Sequence, residues 1–219
     1  MMMELTDLEH LIKTRRSVRR WQDKPVPEEL LLKAVELASW APNGGNMQNW
    51  FFYLITRKEV IQAIADAVQQ SVDLMCSWPE AAEFGDTFKR YSQFSTFFRT
   101  APAAVAVASA PYQSPADRLL EMRADRDPQA RQMREWRRIA DSRIQSVAAA
   151  IAYLLLVFHR LGLGATWMTG PIQAAGAIQA ILGVKPGWEI VAFIPVGYPE
   201  GPVREQTRKA VSEITEVVR

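Results

Sequence analysis

Apolar positions in the first forty residues repeat at helical spacing. Leu8, Leu11 and Ile12 follow a capping-box pattern made by Thr6 and Glu9, which predicts a short amphipathic helix whose end delivers Arg15 and Arg16. After the turn-prone stretch from Asp23, Pro27 is suited to a helix start, and Leu31, Ala34, Val35 and Ala38 mark one apolar face that should stop before Pro42. The pattern then changes. Trp50 to Thr56 is a short apolar and aromatic run of strand type, Lys58 to Ser77 returns to helical spacing through Val60, Ile61, Ile64 and Val68, and Ala103 to Ala108 is a continuous small apolar run that predicts a fully buried strand.

The second half follows the same logic. Ile144 to Leu161 predicts an apolar helix closed by Gly162, with Thr166 to Gly170 as a strand or turn, Pro171 to Leu182 as a helix stopped at Gly183, and Trp188 to Val196 as the last strand. The tail beyond Gly197 alternates polar residues with Val211, Ile214 and Val217, a pattern suited to packing on a partner. Between Tyr112 and Arg143 the chain is charged: arginines at 118, 123, 126, 131, 134, 137, 138 and 143 are mixed with Glu121, Asp125, Asp127, Glu135 and Asp141. That mixture predicts a salt-bridged exposed helix or a cover over a site, rather than a face for nucleic acid. Helices interleaved with a few strands, without an internal repeat, indicate an α+β sandwich with helices around a mixed central sheet.

Composition narrows this picture. A chain of 219 residues with 48% hydrophobic content forms one domain over 1–219. The net charge of +2 gives no global field for nucleic acid or an anionic membrane, so any anion site must be local. The longest uninterrupted apolar run, Val147 to Phe158, falls short of the roughly 20 residues of a membrane span. The acidic N-terminus does not read as an export signal. One cysteine, Cys76, and two histidines argue against a metal site and for a reducing, cytoplasmic setting.

Three segments could carry chemistry. Arg15-Arg16-Ser17-Val18-Arg19-Arg20 offers guanidinium groups and a hydroxyl suited to a phosphate, or simply a basic helix cap. Ala41-Pro42-Asn43-Gly44-Gly45-Asn46-Met47-Gln48-Asn49-Trp50 concentrates amides suited to the edge of a heterocycle, or closes a helix as an ordinary loop. Gly162 to Gly170 allows close backbone approach to a flat ligand, but its glycines follow a helix, so it is no dinucleotide fingerprint. His159, near a helix C-terminus, reads as a packed or dipole-stabilised residue, His10 as a surface one, and Cys76 as packing.

In order along the chain, these segments, Gly197-Tyr198-Pro199 and the trailing Arg208-Lys209 resemble the landmarks of the nitroreductase family over nearly the whole length. The resemblance implies a homodimer with FMN at the subunit interface. Arg15, Arg16 and Ser17, joined by Arg208, would hold the flavin phosphate and ribityl chain, and Arg19 would lie by the pyrimidine edge. Pro42, Asn43 and Asn46, with Gln48 supporting them, would reach the flavin of the neighbouring subunit, and Met168, Thr169 and Gly170 would meet the ring near N5. It further implies hydride transfer from NAD(P)H to the flavin and ping-pong passage of electrons to a nitroaromatic or quinone, with no catalytic acid or base among the side chains. Specialised relatives share these landmarks, namely a reductive dehalogenase and the flavin-fragmenting synthase of the cobalamin lower ligand. A non-catalytic flavin-binding or nucleic-acid-binding module is the reading from a different class. Asn43 stands where the family commonly has serine, and Asn49 and Ala210 stand where proline is frequent.

Overall fold

A computed structural model describes residues 5–203 and 205–219. Helix α1 (Leu5–Thr14) leads into an extended segment, followed by α2 (Glu28–Ala38), a 3₁₀ turn at Gly44–Asn46, and strand β1 (Trp50–Ile55). Next come α3 (Lys58–Cys76), α4 (Ala81–Phe94) and β2 (Ala103–Ser109). Helices α5 (Pro115–Arg123) and α6 (Pro128–Ala140) precede the long α7 (Ser142–Arg160), and the short β3 (Gly164–Ala165), α8 (Ala175–Leu182) and β4 (Glu189–Gly197) complete the core.

The sheet order is β1-β2-β4-β3, and all three strand pairs are antiparallel. The parallel component expected of a mixed sheet is confined to one isolated bridge, Ser17 to Ala165. Its cause is the tether between Arg16 and Trp21, which runs along the β3 edge without becoming a full strand.

Alternation on β2 divides the core into two layers. Ala103, Val105 and Val107 face α2 and α7, whereas Ala104, Ala106 and Ala108 face α3 and α8. All are fully buried, which explains why this strand reads as an unbroken apolar run. A bulge where Val107 and Ala108 meet β4 shifts the register, so that Ile190 joins Phe193 on the α3/α8 side.

Helix α7 buries Val147, Ala150, Ile151, Leu154 and Phe158. The helical run 128–160 has the length and apolarity of a membrane span, yet its α7 part is a core helix packed on α2 and the sheet. Its N-cap Asp141 adopts a left-handed conformation, φ 36°, and its carboxylate accepts from the Ile144 N–H, which breaks α6 from α7. Pro171 does not open a regular helix. Residues Gly170–Ala174 form a 3₁₀ turn, and α8 begins after it, ending at left-handed Gly183 as its sequence predicts.

The charged stretch between Tyr112 and Arg143 resolves into the hairpin α5–α6. Ser114 and Asp117 cap α5 reciprocally, and the Asp127 carboxylate accepts from the Gln129 and Ala130 N–H groups to cap α6. Arg134 pairs with Glu121 at 3.4 Å and Glu135 at 3.2 Å, Arg138 pairs with the same two carboxylates, and Arg137 pairs with Asp117. Beyond Pro199 the described tail residues are exposed, with Val211, Ile214, Val217 and Val218 each open to solvent.

Candidate functional site

The basic segment is drawn against the β3 edge by backbone pairing. The Val18 N–H donates to the Ala165 carbonyl at 3.2 Å, the Thr166 hydroxyl donates to the Val18 carbonyl, and the Trp21 indole N–H donates to the Gly164 carbonyl at 2.8 Å. Gly164 is what permits this approach, because a Cβ there would lie 2.4 Å from Val18 Cγ2 and 2.9 Å from Pro199 Cγ. Gly197 is required in the same way, its added Cβ falling 2.5 Å from Pro102. The Gly-Tyr-Pro landmark closes the other side: the Gln22 N–H donates to the Tyr198 carbonyl at 2.9 Å, and the Glu200 N–H donates to the Arg20 carbonyl at 3.1 Å. Three of the four sequence landmarks therefore form one unit.

The charges there are uncompensated. Among the described residues, Arg15, Arg16, Arg19, Arg20 and Arg208 make no ion pair with a carboxylate. Arg16 instead donates to the carbonyls of Lys13 and Arg15, the latter at 2.9 Å. Burial, followed by repulsion from Arg16 and Arg208, pulls the Arg15 guanidinium below its usual pKa. Arg208 thus reaches the same electrostatic neighbourhood from the C-terminal segment. Converging cations without counter-charges fit a phosphate dianion, which supplies what the protein lacks there.

Met168, Thr169 and Gly170 continue along the sheet edge. Met168 exchanges backbone hydrogen bonds with Phe193 at 3.0 and 2.9 Å, which fixes the segment, while Thr169 and Gly170 are exposed. Helix α4, for which sequence periodicity gave no signal, lies beside it: the Tyr91 hydroxyl donates to Gln173 Oε1 at 2.9 Å and is the nearest atom to a Cβ built on Gly170, at 3.7 Å. Its aromatics Phe84, Phe88 and Tyr91 lie at helical spacing, but Gly85 breaks the helix between them and conceals the pattern.

The amide loop lies elsewhere. It precedes β1, at the sheet edge opposite β3, about 14 Å away across three strand spacings. It also touches the opposite end of α7, where the Gly44 N–H donates to Ser146 Oγ at 3.1 Å; the basic segment meets α7 at His159, a further ~20 Å along the helix axis. Within the loop, Asn43 is a staple: its Oδ1 accepts from the Gln48 N–H at 2.9 Å and its Nδ2 donates to the Ala41 carbonyl at 3.3 Å. Gln48 Nε2 donates to Asn46 Oδ1 at 3.4 Å. Asn46 and Gln48 hold left-handed backbones, φ 52° and 45°, and both are exposed along with Pro42. Such conformations in non-glycine residues mark a loop whose shape is fixed by its surroundings. Buried Asn49, where proline is frequent, donates to Ser109 Oγ at 3.1 Å and so ties the start of β1 to the end of β2.

This fold and the order of its landmarks define a flavoprotein oxidoreductase. Residues 12–198 match the Nitroreductase family, and the chain belongs to it. The chain is similar to a 5,6-dimethylbenzimidazole synthase of Rhodospirillum rubrum, 27% identical over 92% of this chain and 87% of that protein. It is similar also to an iodotyrosine deiodinase of Thermotoga neapolitana, 25% identical over 92% and 93% of the two chains. A solved BluB-like flavoprotein from Clostridium difficile 630 superposes with a TM-score of 0.86 at 28% identity, covering 100% of both chains. FMN is the cofactor of the family, and its members are typically dimeric.

Proposed function

We propose that this protein is a homodimeric NAD(P)H-dependent FMN oxidoreductase in which each flavin site is completed by two chains. The observation that carries this reading is the separation of the landmarks: the basic segment and Arg208 gather at the β3 edge toward the His159 end of α7, residues 168–170 continue along that same edge, and the amide loop stands at the opposite edge and touches the Ser146 end of α7. A twofold arrangement brings the loop of one chain to the basic half-site of its neighbour.

In this reading Arg15, Arg16 and Arg208 bind the flavin phosphate, and Ser17 adds a hydroxyl donor. Arg19 stands at the pyrimidine edge, where positive charge favours the anionic reduced ring. Its guanidinium lies 6.0 Å from the Phe97 ring centroid, which gives the side chain a fixed platform. The paired backbone of Met168 orients Thr169 and Gly170 toward the ring near N5. Pro42, Asn43, Asn46 and Gln48 of the neighbouring subunit close the other side, with Asn43 shaping the loop more than touching the ligand. The exposed tail, with Val211, Ile214 and Val217, packs on the neighbour. When bound, FMN supplies the redox chemistry, taking hydride from NAD(P)H at N5 and passing electrons to an electron-poor acceptor such as a nitroaromatic or a quinone. The protein positions and tunes, without a side-chain acid or base.

The test is an absorbance spectrum of the purified protein before and after anaerobic NADH or NADPH. A flavin spectrum that bleaches supports the reading; failure to hold FMN after reconstitution overturns it. The likeness to a 5,6-dimethylbenzimidazole synthase favours a second reading, the flavin-fragmenting synthase of the cobalamin lower ligand, in which reduced flavin is itself consumed under oxygen. Chromatography of the flavin after aerobic turnover separates the two, because intact FMN excludes fragmentation. Turnover of a halotyrosine would identify a dehalogenase instead.

A further inference from the structure

His159 lies where the cation cluster meets the end of α7. Thr14 Oγ1 and His159 Nε2 are 2.8 Å apart, and Thr14 Oγ1 also lies 2.7 Å from the His10 carbonyl. The hydroxyl has one proton, and the carbonyl can only accept it, so toward the imidazole the hydroxyl must be the acceptor. His159 therefore carries its hydrogen on Nε2, and Nδ1 is the atom left to bind a second proton. A cavity of about 420 Å³ joins His159 and Thr14 to Arg16, Val18 and Gly164, the residues that pack the basic segment on the β3 edge.

The geometry points to His159 as a further member of the flavin phosphate site, its proton carrier: it takes up a proton on Nδ1 when the phosphate binds and releases it when the phosphate leaves. This inference rests on the reading of Arg15, Arg16 and Arg208 as phosphate ligands.

The charged groups around the ring set the sign. Asp7 and His10 face it from α1, Arg15 and Arg16 from the basic segment, Arg160 from α7 itself, and Glu205 from the C-terminal segment, while Arg208 adds its field through Arg15. Burial lowers the affinity of His159 for a proton, and Arg15, His10 and Arg16 lower it further. A permanent cation at this position would add to an already repulsive cluster. A dianion between the arginines removes that repulsion, and the C-terminal end of α7 favours the imidazolium once it forms. Ligand affinity and protonation are then linked: the phosphate binds more tightly as pH falls through the window between the ring's free and bound pKa values.

The experiment is calorimetric titration of the flavin-stripped full-length dimer with FMN and with riboflavin, at pH 7 in buffers of different ionisation enthalpy, for wild type and His159→Gln. Glutamine keeps a donor for Thr14 but cannot take the proton. Expected is net proton uptake on FMN binding to wild type, little or none with riboflavin, and loss of the uptake in the variant. Between pH 6.5 and 8.5, wild-type affinity for FMN should fall by up to about tenfold per pH unit within the linked window, a slope absent from H159Q. The second phosphate ionisation, near pH 6, acts equally on both proteins. Equal proton uptake in wild type and variant overturns the proposal, as does none in wild type. Should H159Q not fold, NMR titration of the wild-type His159 ring decides: a midpoint unmoved by FMN overturns it. Absence of FMN binding altogether would refute the functional reading, whereas FMN binding without the His159 proton refutes this inference alone.

Discussion

Arginine is used in two opposite ways in this molecule. In the α5–α6 hairpin, Arg123, Arg134, Arg137 and Arg138 each sit against a carboxylate, and the cluster is close to neutral by its own pairing. At the β3 edge, Arg15, Arg16 and Arg208 converge without an ion pair to any carboxylate among the described residues, close enough that Arg15 is perturbed by the other two. The hairpin is a self-satisfied surface, while the described arginines of the edge are left without a carboxylate partner, as the proposed phosphate site requires. The number of arginines between 118 and 143 would have pointed to the hairpin; pairing points to the edge.

The largest effect expected from this contrast is on cofactor affinity. Replacing both Arg15 and Arg16 by glutamine removes two charge-assisted contacts of about 1.5–3 kcal/mol each, so the FMN dissociation constant should rise by about 10²- to 10⁴-fold, with riboflavin nearly unaffected. Fluorescence titration checks this, and a rise below threefold would place the phosphate elsewhere. Gly164→Ala should act next, through packing: the new Cβ strikes Val18 Cγ2 and destabilises the edge by about 1–3 kcal/mol. Thermal unfolding should then move down by roughly 2–12 °C, and an unchanged midpoint would show that the basic segment is free to shift.

In the hairpin the responses should be smaller. Asp117 accepts hydrogen bonds from Arg137 and from the Ser114 hydroxyl and N–H, which hold its carboxyl well below the usual carboxylate range. A depressed folded pKa means that its contribution is present above the unfolded value near pH 4 and is lost as pH falls below it. Asp117→Asn should therefore weaken the protein at neutral pH and flatten its acid limb below about pH 4; a parallel acid profile in both proteins would sink the assignment. Arg138→Gln should matter least, shifting stability by about 0–1 kcal/mol and FMN affinity by less than twofold, because its pairs with Glu121 and Glu135 are exposed and largely screened.

Most elements were legible because their signals are local. The face carried by Leu31, Ala34 and Ala38 and left-handed Gly183 each act within a few residues, and β2 announced itself by needing apolar side chains on both faces, whereas Thr6, expected to cap α1, lies inside that helix, which includes Leu5. What escaped depends on tertiary contact or on broken periodicity. Helix α4 has an interior glycine at positive φ, and β3 is two residues long, its pairing with β4 continued beyond Ala165 only by separate bonds from Thr166 and Met168. The clustering of Arg15, Arg16 and Arg208 followed from the family landmarks, and the structure supplies its electrostatic reason. His159, read as packed or dipole-stabilised, is part-buried at the end of α7, and its contact with Thr14 spans 145 positions, which no local pattern announces. Asn43, expected at the ligand, has both polar atoms engaged in holding its own loop.

In the proposed dimer, the placement of the amide loop and the basic segment at opposite ends of α7 ties cofactor retention to mass action. If each chain carries one half of two different sites, then loading and assembly are a single equilibrium. Diluting the protein below its dimer dissociation constant would release flavin even with every ligand residue intact, and excess flavin would drive separated chains together.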